Sequence, residues 1–313
     1  MQSIKKRLKT LLQSPAVQSS LEMSFLWAQR IIPQHALSRA IGFFAESQLE
    51  FIKTPLINWF IKTYQVNMDE AICANPSQYP NFNLFFTRAL GADARPLCEQ
   101  ANSIACPADG AISQLGNIDQ DNLFQAKGHT FNLKELLGSN DKDTLAQFQD
   151  GKFMTIYLSP KDYHRVHMPV TGQLKKMTYI PGKLFSVNSV TTRHQPKLFA
   201  NNERMVAYFE TESGPMAMIM VGAMIVAAIE TVWHGKVAPS REGMKEWDYA
   251  RMGQEFRINK GDEMGQFYLG STVILLFGKD AMHWDSNLYP DRITVMGEQI
   301  GQTLPKAITQ PSS

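Results

Sequence analysis

The chain has 313 residues, 44% of them hydrophobic, and a formal net charge of +2. That length can bury a substantial core without disulfides, and so balanced a charge offers nucleic acid no electrostatic footprint. Three cysteines, Cys73, Cys98 and Cys106, have neither metal-site nor redox-motif spacing and read as reduced thiols of a cytoplasmic protein.

The first 65 residues read as helices. Ile4, Leu8, Leu11 and Leu12 share one face beside Lys5, Lys6, Arg7 and Lys9, and Pro15 ends that stretch. Leu37, Ile41 and Phe44 repeat at helical spacing. Pro55 is placed to open a further helix with Ile57, Ile61 and Tyr64 on one stripe. Residues 1–62 carry eight Lys/Arg against three acids, and Trp27, Phe43, Phe44, Phe51, Trp59 and Phe60 make the region aromatic. Such helices suit the plane of an anionic membrane surface, or a cap packed on the core, or both. No apolar run follows the basic start as a secretory signal requires. The longest uncharged apolar run, Met216 to Ile229, has 14 residues. A membrane span needs about 20, so the expectation is a peripheral protein on the cytoplasmic face of the membrane.

From about residue 100 the texture turns to strands. Lys152 to Leu158 and Thr272 to Phe277 are short runs rich in β-formers, and Met216 to Val226 reads as a strand interrupted near Gly222. Ser139 to Lys142 reads as a polar loop and Lys236 to Gly265 as a long mobile one. The expected fold is α+β: a helical membrane-docking region, residues 1–65, then a β-rich catalytic core, residues 66–313.

Three sites have chemical potential. Ser271 follows Gly270 and opens an apolar strand. It reads as a strand-start turn residue, or as a hydroxyl able to attack the adjacent glycine carbonyl when a base takes its proton. Such an attack gives an N-to-O acyl shift, an ester, and after elimination and hydrolysis a pyruvoyl group. His164 and His167 supply bases that titrate near neutral pH. Their spacing lacks the Glu and the i, i+4 pattern of a zinc-protease helix, and Pro169 disfavours helix at Met168, so no metal is expected. Residues three apart on a plain strand face opposite sides, so both histidines reach one site only if the backbone turns. Asp109, in Pro107-Ala108-Asp109-Gly110, is a turn residue or an acid that orients a histidine.

Pro107-Ala108-Asp109-Gly110, Asp162-Tyr163-His164-Arg165-Val166-His167-Met168-Pro169 and Leu269-Gly270-Ser271-Thr272 together, in that order, resemble the bacterial phosphatidylserine decarboxylases. The resemblance takes in Phe82 to Arg88, Pro181 to Asn188, Asn202-Glu203-Arg204, Val221-Gly222-Ala223 and Glu230 to Trp233, and runs from about residue 35 to 300. It implies a self-processing triad of Asp109, His167 and Ser271. His167 would be the base and Asp109 its orienting acid. Cleavage between Gly270 and Ser271 would leave a β chain, residues 1–270, and an α chain, residues 271–313, that begins with a covalent pyruvoyl cofactor. The implied substrate is phosphatidylserine in the membrane, bound as a Schiff base and released as phosphatidylethanolamine and CO2. His164 is the candidate proton donor, and Phe185, Ser186 and Asn188 are candidates for the substrate pocket. The resemblance also suggests a homodimer. The rival reading is a serine hydrolase or esterase built on Ser271, His167 and Asp109, although the chain has no Gly-x-Ser-x-Gly elbow.

Overall fold

The computed structural model describes residues 15–126, 128–224, 228–240, 243–268 and 271–305. Helices α1 (Pro15–Ile31), α2 (Gln34–Ala45) and α3 (Glu50–Tyr64) lead the chain. The stretch from Ile4 to Leu12 lies outside the described residues. Helix α3 begins at Glu50, five residues before the expected start at Pro55. The Glu50 carboxylate accepts from Thr54 Oγ1 at 2.8 Å and pairs with Lys53 Nζ at 2.9 Å, which supports the first turn. Pro55 is then carried inside the helix at the cost of one backbone hydrogen bond.

These helices pack on one side only. Ile57 and Phe60 are buried against α4 (Phe82–Phe86), whose Phe82, Phe85 and Phe86 rings lie 5.1 to 6.0 Å from the Phe60 ring. The helical layer thus continues past residue 65 to residue 86. On the outer side Ile31, Phe43 and Phe51 are 78%, 74% and 75% exposed, with Trp27 and Trp59 also in solvent. Among the described residues no helix is long and apolar enough to cross a membrane.

The core is a nine-stranded antiparallel sheet. Its order is Lys245–Asp248, Gly172–Ile180, Arg204–Thr211, Gly214–Gly222, Ser271–Phe277, Lys152–Leu158, Gly110–Asn117 and Ile293–Thr294, with Phe256–Ile258 also paired to Gly172–Ile180. Ser271–Phe277 is central and buried along its whole length. Val273, Leu275 and Phe277 point into one apolar layer, and Ile274 and Leu276 into the other. Burial on both faces is why this strand reads as an unbroken apolar run rather than an alternating one. A four-stranded sheet (Gly235–Ala238, Ala228–Thr231, Glu263–Tyr268, Arg165–His167) and a three-stranded one (Ser103–Ala105, Gln299–Thr303, Met282–Trp284) complete the main core. The architecture is the expected α+β, helices first.

Two expectations need correction. The polar stretch from Lys236 to Gly265 is not one long loop. It holds most of Gly235–Ala238, then Lys245–Asp248, Phe256–Ile258 and the start of Glu263–Tyr268. Lys245–Asp248 and Phe256–Ile258 pair with Gly172–Ile180 through backbone bonds and leave most side chains partly exposed, so polar residues mask them. The strand over Met216 to Val226 is interrupted near Gly222 as expected: it ends at Gly222, residues 225–227 lie outside the described residues, and pairing resumes at Ala228–Thr231. The loop expected from Ser139 to Lys142 closes one residue earlier, because Asp141 caps a short helix, Lys142–Ala146.

Candidate active site

Ser271 pairs with Leu158 on one side and Gly222 on the other. Side chains alternate along a strand, so Ser271 shares the face of Val273 and Leu275. That face looks into the layer containing Cys106, Ala108, Val166 and Met168, the neighbours of Asp109 and His167 in the chain. The segments that carry Asp109 and His167 thus both contribute side chains to the layer that Ser271 faces. Ser271 is fully buried, and its Oγ has no hydrogen-bond partner among the described residues. Gly270, on the other side of the expected cleavage point, lies outside the described residues.

Two backbone bonds bring the acid and base segments together. His167 N donates to Pro107 O at 2.8 Å, and Ala105 N donates to Pro169 O at 2.9 Å. The Gly110 backbone presses on the neighbouring strand: a Cβ there would sit 2.3 Å from Tyr157 O, so only glycine permits this approach beside Asp109. Asp109 is buried, and its carboxylate accepts from Arg95 Nε at 2.9 and 3.0 Å and from Met296 N at 2.8 Å. Arg95 also reaches Glu70 at 3.0 Å.

His167 is held differently from the expectation. Its Nδ1 lies 2.9 Å from the Gly261 carbonyl, which can only accept, so Nδ1 carries the proton. Its Nε2 then accepts from the Tyr163 hydroxyl at 3.1 Å. Among the described residues no hydrogen bond joins Asp109, His167 and Ser271 to one another. Asp109 acts on His167 through its charge, which favours the protonated ring, while the larger effect of burial lowers the His167 pKa.

His164 lies just before the strand Arg165–His167, buried, with its ring 4.1 Å from the Phe86 ring. Its Nδ1 donates to Asp162 O at 2.8 Å, so Nε2 carries the lone pair, and that atom has no partner among the described residues. Burial holds the imidazole neutral, its pKa pushed down to about 3.

The pocket candidates lie on a segment that Asn202 ties to Gly222, the strand partner of Ser271, its Nδ2 donating to Phe185 O at 2.8 Å and to Gly222 O at 2.9 Å. Phe185 packs against the opposite apolar layer, and its N–H donates to Asn202 Oδ1 at 3.2 Å. Ser186 N donates to Gln29 Oε1 at 2.7 Å. Asn188 caps the helix Ser189–His194 by accepting from Thr191 N at 2.9 Å. Sequence reasoning assigned no role to Arg95, Tyr163, Gly261 or Met296. Tyr163 had a local signal, lying four residues before His167. Gly261 and Met296 contribute only backbone atoms, from 94 and 187 residues away in the chain, and no side-chain pattern announces those.

The buried His164 has a stability consequence. An unfolded histidine takes up a proton near pH 6.5, whereas the folded one resists until about 3. Its contribution is intact above pH 6.5 and is lost as pH falls toward 3, with a slope of at most about 1.4 kcal/mol per unit. Thermal midpoints measured from about pH 6.5 down to 4.5 should fall less steeply for His164→Phe than for wild type. Equal slopes would place the proton uptake elsewhere.

Comparison with known proteins gives a consistent result. The family described as Phosphatidylserine decarboxylase matches residues 82–302, and one described as PSD matches residues 24–65. The phosphatidylserine decarboxylase proenzyme of Saccharophagus degradans is 54% identical, over 89% of this chain and 96% of that protein. Those of Azotobacter vinelandii and Stutzerimonas stutzeri are 53% and 52% identical, over 89% and 92% of this chain and 97% and 96% of those proteins. The matches span the helical layer, the Asp109 and His167 segments and the Ser271 strand, and the chain is an enzyme of the phosphatidylserine decarboxylase family.

Proposed function

We propose that the chain cuts itself between Gly270 and Ser271, and that it converts phosphatidylserine to phosphatidylethanolamine and CO2 at the pyruvoyl group this leaves on residue 271. The observation that carries the proposal is a fully buried serine hydroxyl, without a hydrogen-bond partner among the described residues, facing a layer built in part by the segments of Asp109 and His167.

Self-processing needs only groups of this chain and one water. His167 Nε2 takes the Ser271 Oγ proton once it exchanges the Tyr163 hydroxyl for the serine. Oγ attacks the Gly270 carbonyl, and the peptide C–N bond breaks as the ester forms. Loss of the Ser271 α-proton then expels the Gly270 carboxylate, and water converts the residue to a ketone with release of ammonia. The Asp109 charge, fixed by Arg95, stabilises the His167 cation formed on the way.

Residue 271 suits a pyruvoyl group. Its environment is dry, and both neighbouring strands hold its backbone in place. When present there, the group supplies a sink for the electron pair left by the departing carboxylate. His164, neutral at working pH, must accept a proton at Nε2 before it can donate one. That suits a shuttle which takes the proton of the substrate ammonium and returns it to carbon. A hydrolase reading fits less well, because the chain has no Gly-x-Ser-x-Gly elbow and its relatives are decarboxylases. The lipid supply would come through α1, α2 and α3. Their exposed Trp27, Phe43, Phe51 and Trp59, beside Arg30, Arg39 and Lys62, suit docking on the cytoplasmic, anionic leaflet.

Two measurements test this. Purified protein given phosphatidylserine in mixed micelles should release CO2 and phosphatidylethanolamine. His164→Asn should still cut itself yet lose decarboxylation by roughly 100-fold or more. Retained activity would remove His164 from the chemistry, and no CO2 from cut wild type would remove the reaction. For docking, Phe43→Ser with Trp59→Ser should weaken binding to anionic vesicles roughly 10-fold or more. Undiminished binding would exclude this face as the docking surface.

A further inference from the structure

The wall of the site contains a buried positive charge with no counter-ion. Arg88 follows α4 and is 4% exposed. Its Nη2 donates to Lys161 O at 3.1 Å, while Nε and Nη1 have no hydrogen-bond partner among the described residues. Among the described residues no carboxylate pairs with it. The acids whose charge reaches it, Asp109 and Glu70, are both held by Arg95. A buried charge left in this state is costly, and the fold fixes it there firmly. Phe82, Phe85 and Phe86 anchor the segment in the aromatic cluster, and the guanidinium lies 5.8 Å from the Phe85 ring.

Two acceptors on or against the same helix, α4, are also without hydrogen-bond partners among the described residues. The His164 ring rests on Phe86, close enough for the Arg88 charge to disfavour its protonation, and its Nε2 lone pair has no partner. Asn83, 6% exposed, has an unpaired Oδ1. Asn83 also lines a cavity of about 420 Å³ with Asn81, Ala228, Glu230, Lys236 and Tyr268. Tyr268 ends the strand that leads through residues 269 and 270 to Ser271.

We infer that Asn83, Arg88 and His164 form the subsite for the amino-acid end of the lipid headgroup, with Arg88 receiving its carboxylate. This rests on the decarboxylase reading above. Nε and Nη1 each offer a donor to an oxyanion, and the permanent charge of the guanidinium favours a carboxylate there. Asn83 Oδ1 and His164 Nε2 accept from the ammonium. An α-amino acid presents one carboxylate and one ammonium, which complements this set of donors and acceptors. A headgroup without the carboxylate would leave the Arg88 charge unanswered, so the subsite selects phosphatidylserine over the product. The lipid phosphodiester is the other oxyanion available, and it is present in substrate and product alike.

The test separates the two oxyanions. In mixed micelles, KM for phosphatidylserine and the inhibition constant of phosphatidylethanolamine are measured for wild type, Arg88→Gln and Arg88→Lys, with self-cleavage followed by intact mass. Arg88→Gln is expected to raise KM about 10- to 100-fold and leave the phosphatidylethanolamine constant unchanged, with Arg88→Lys between it and wild type. An unchanged KM overturns the assignment. An equal rise in both constants also overturns it, by placing the phosphodiester on Arg88. If Arg88→Gln does not fold or cut, Arg88→Lys alone decides by the same criterion: a rise in KM only supports the subsite, and no rise or an equal rise overturns it. A wild type that neither cuts nor decarboxylates would instead refute the reaction itself.

Discussion

The strand Ser271–Phe277 is hydrogen-bonded along both edges and buried on both faces, and the rest of the site depends on that placement. Its pairing with Lys152–Leu158 and Gly214–Gly222 fixes which way each side chain points, because a slip of one residue would turn Ser271 to the opposite layer. The same pairing explains how a chain cut before Ser271 would stay whole. Beyond this strand, residues 271–305 supply Ile293–Thr294 to the large sheet and Met282–Trp284 and Gln299–Thr303 to another. Each fully buried Val, Ile, Leu or Phe adds about 1.5–3 kcal/mol to that attachment.

Around this strand the ionisable groups are sorted by what they can pair with. Arg95 takes Asp109 and Glu70, so the acid beside the base segment is a fixed anion. Both histidines spend Nδ1–H on backbone carbonyls, of Gly261 and Asp162, which fixes their tautomers and leaves Nε2 as the reactive atom. Burial lowers the pKa of both rings. Their anchoring by carbonyls rather than by a carboxylate separates this geometry from the hydrogen-bonded acid–histidine–serine chain of a hydrolase.

Much of the fold was legible because its signals are local. The apolar run from Thr272 to Phe277 and the helical spacing of Leu37, Ile41 and Phe44 each report one element. Elements hidden by composition were lost. Lys245–Asp248 and Phe256–Ile258 are polar and partly exposed, so their pairing is invisible until Gly172–Ile180 lies beside them. The start of α3 was misplaced because Pro55 is a strong local cue that the Glu50, Lys53 and Thr54 contacts override. For the candidate site, Asp109, His164, His167 and Ser271 are proposed from sequence because chemistry and motif order point to them. Their partners are not, since Arg95 lies in a loop without pattern and Gly261 and Met296 act through the backbone. The packing of Phe185 against the layer of Ile274 and Leu276 is likewise invisible until the sheet is assembled.

The most direct measurement is intact-protein mass spectrometry, under denaturing conditions, on purified wild type and Ser271→Ala. The expected wild-type result is two species, residues 1–270 and residues 271–313 with a pyruvoyl start, alongside an alanine variant that stays at 35.3 kDa. A wild type that remains whole, or an alanine variant that is cut at the same bond, would contradict the central claim that Ser271 performs the cleavage and carries the prosthetic group.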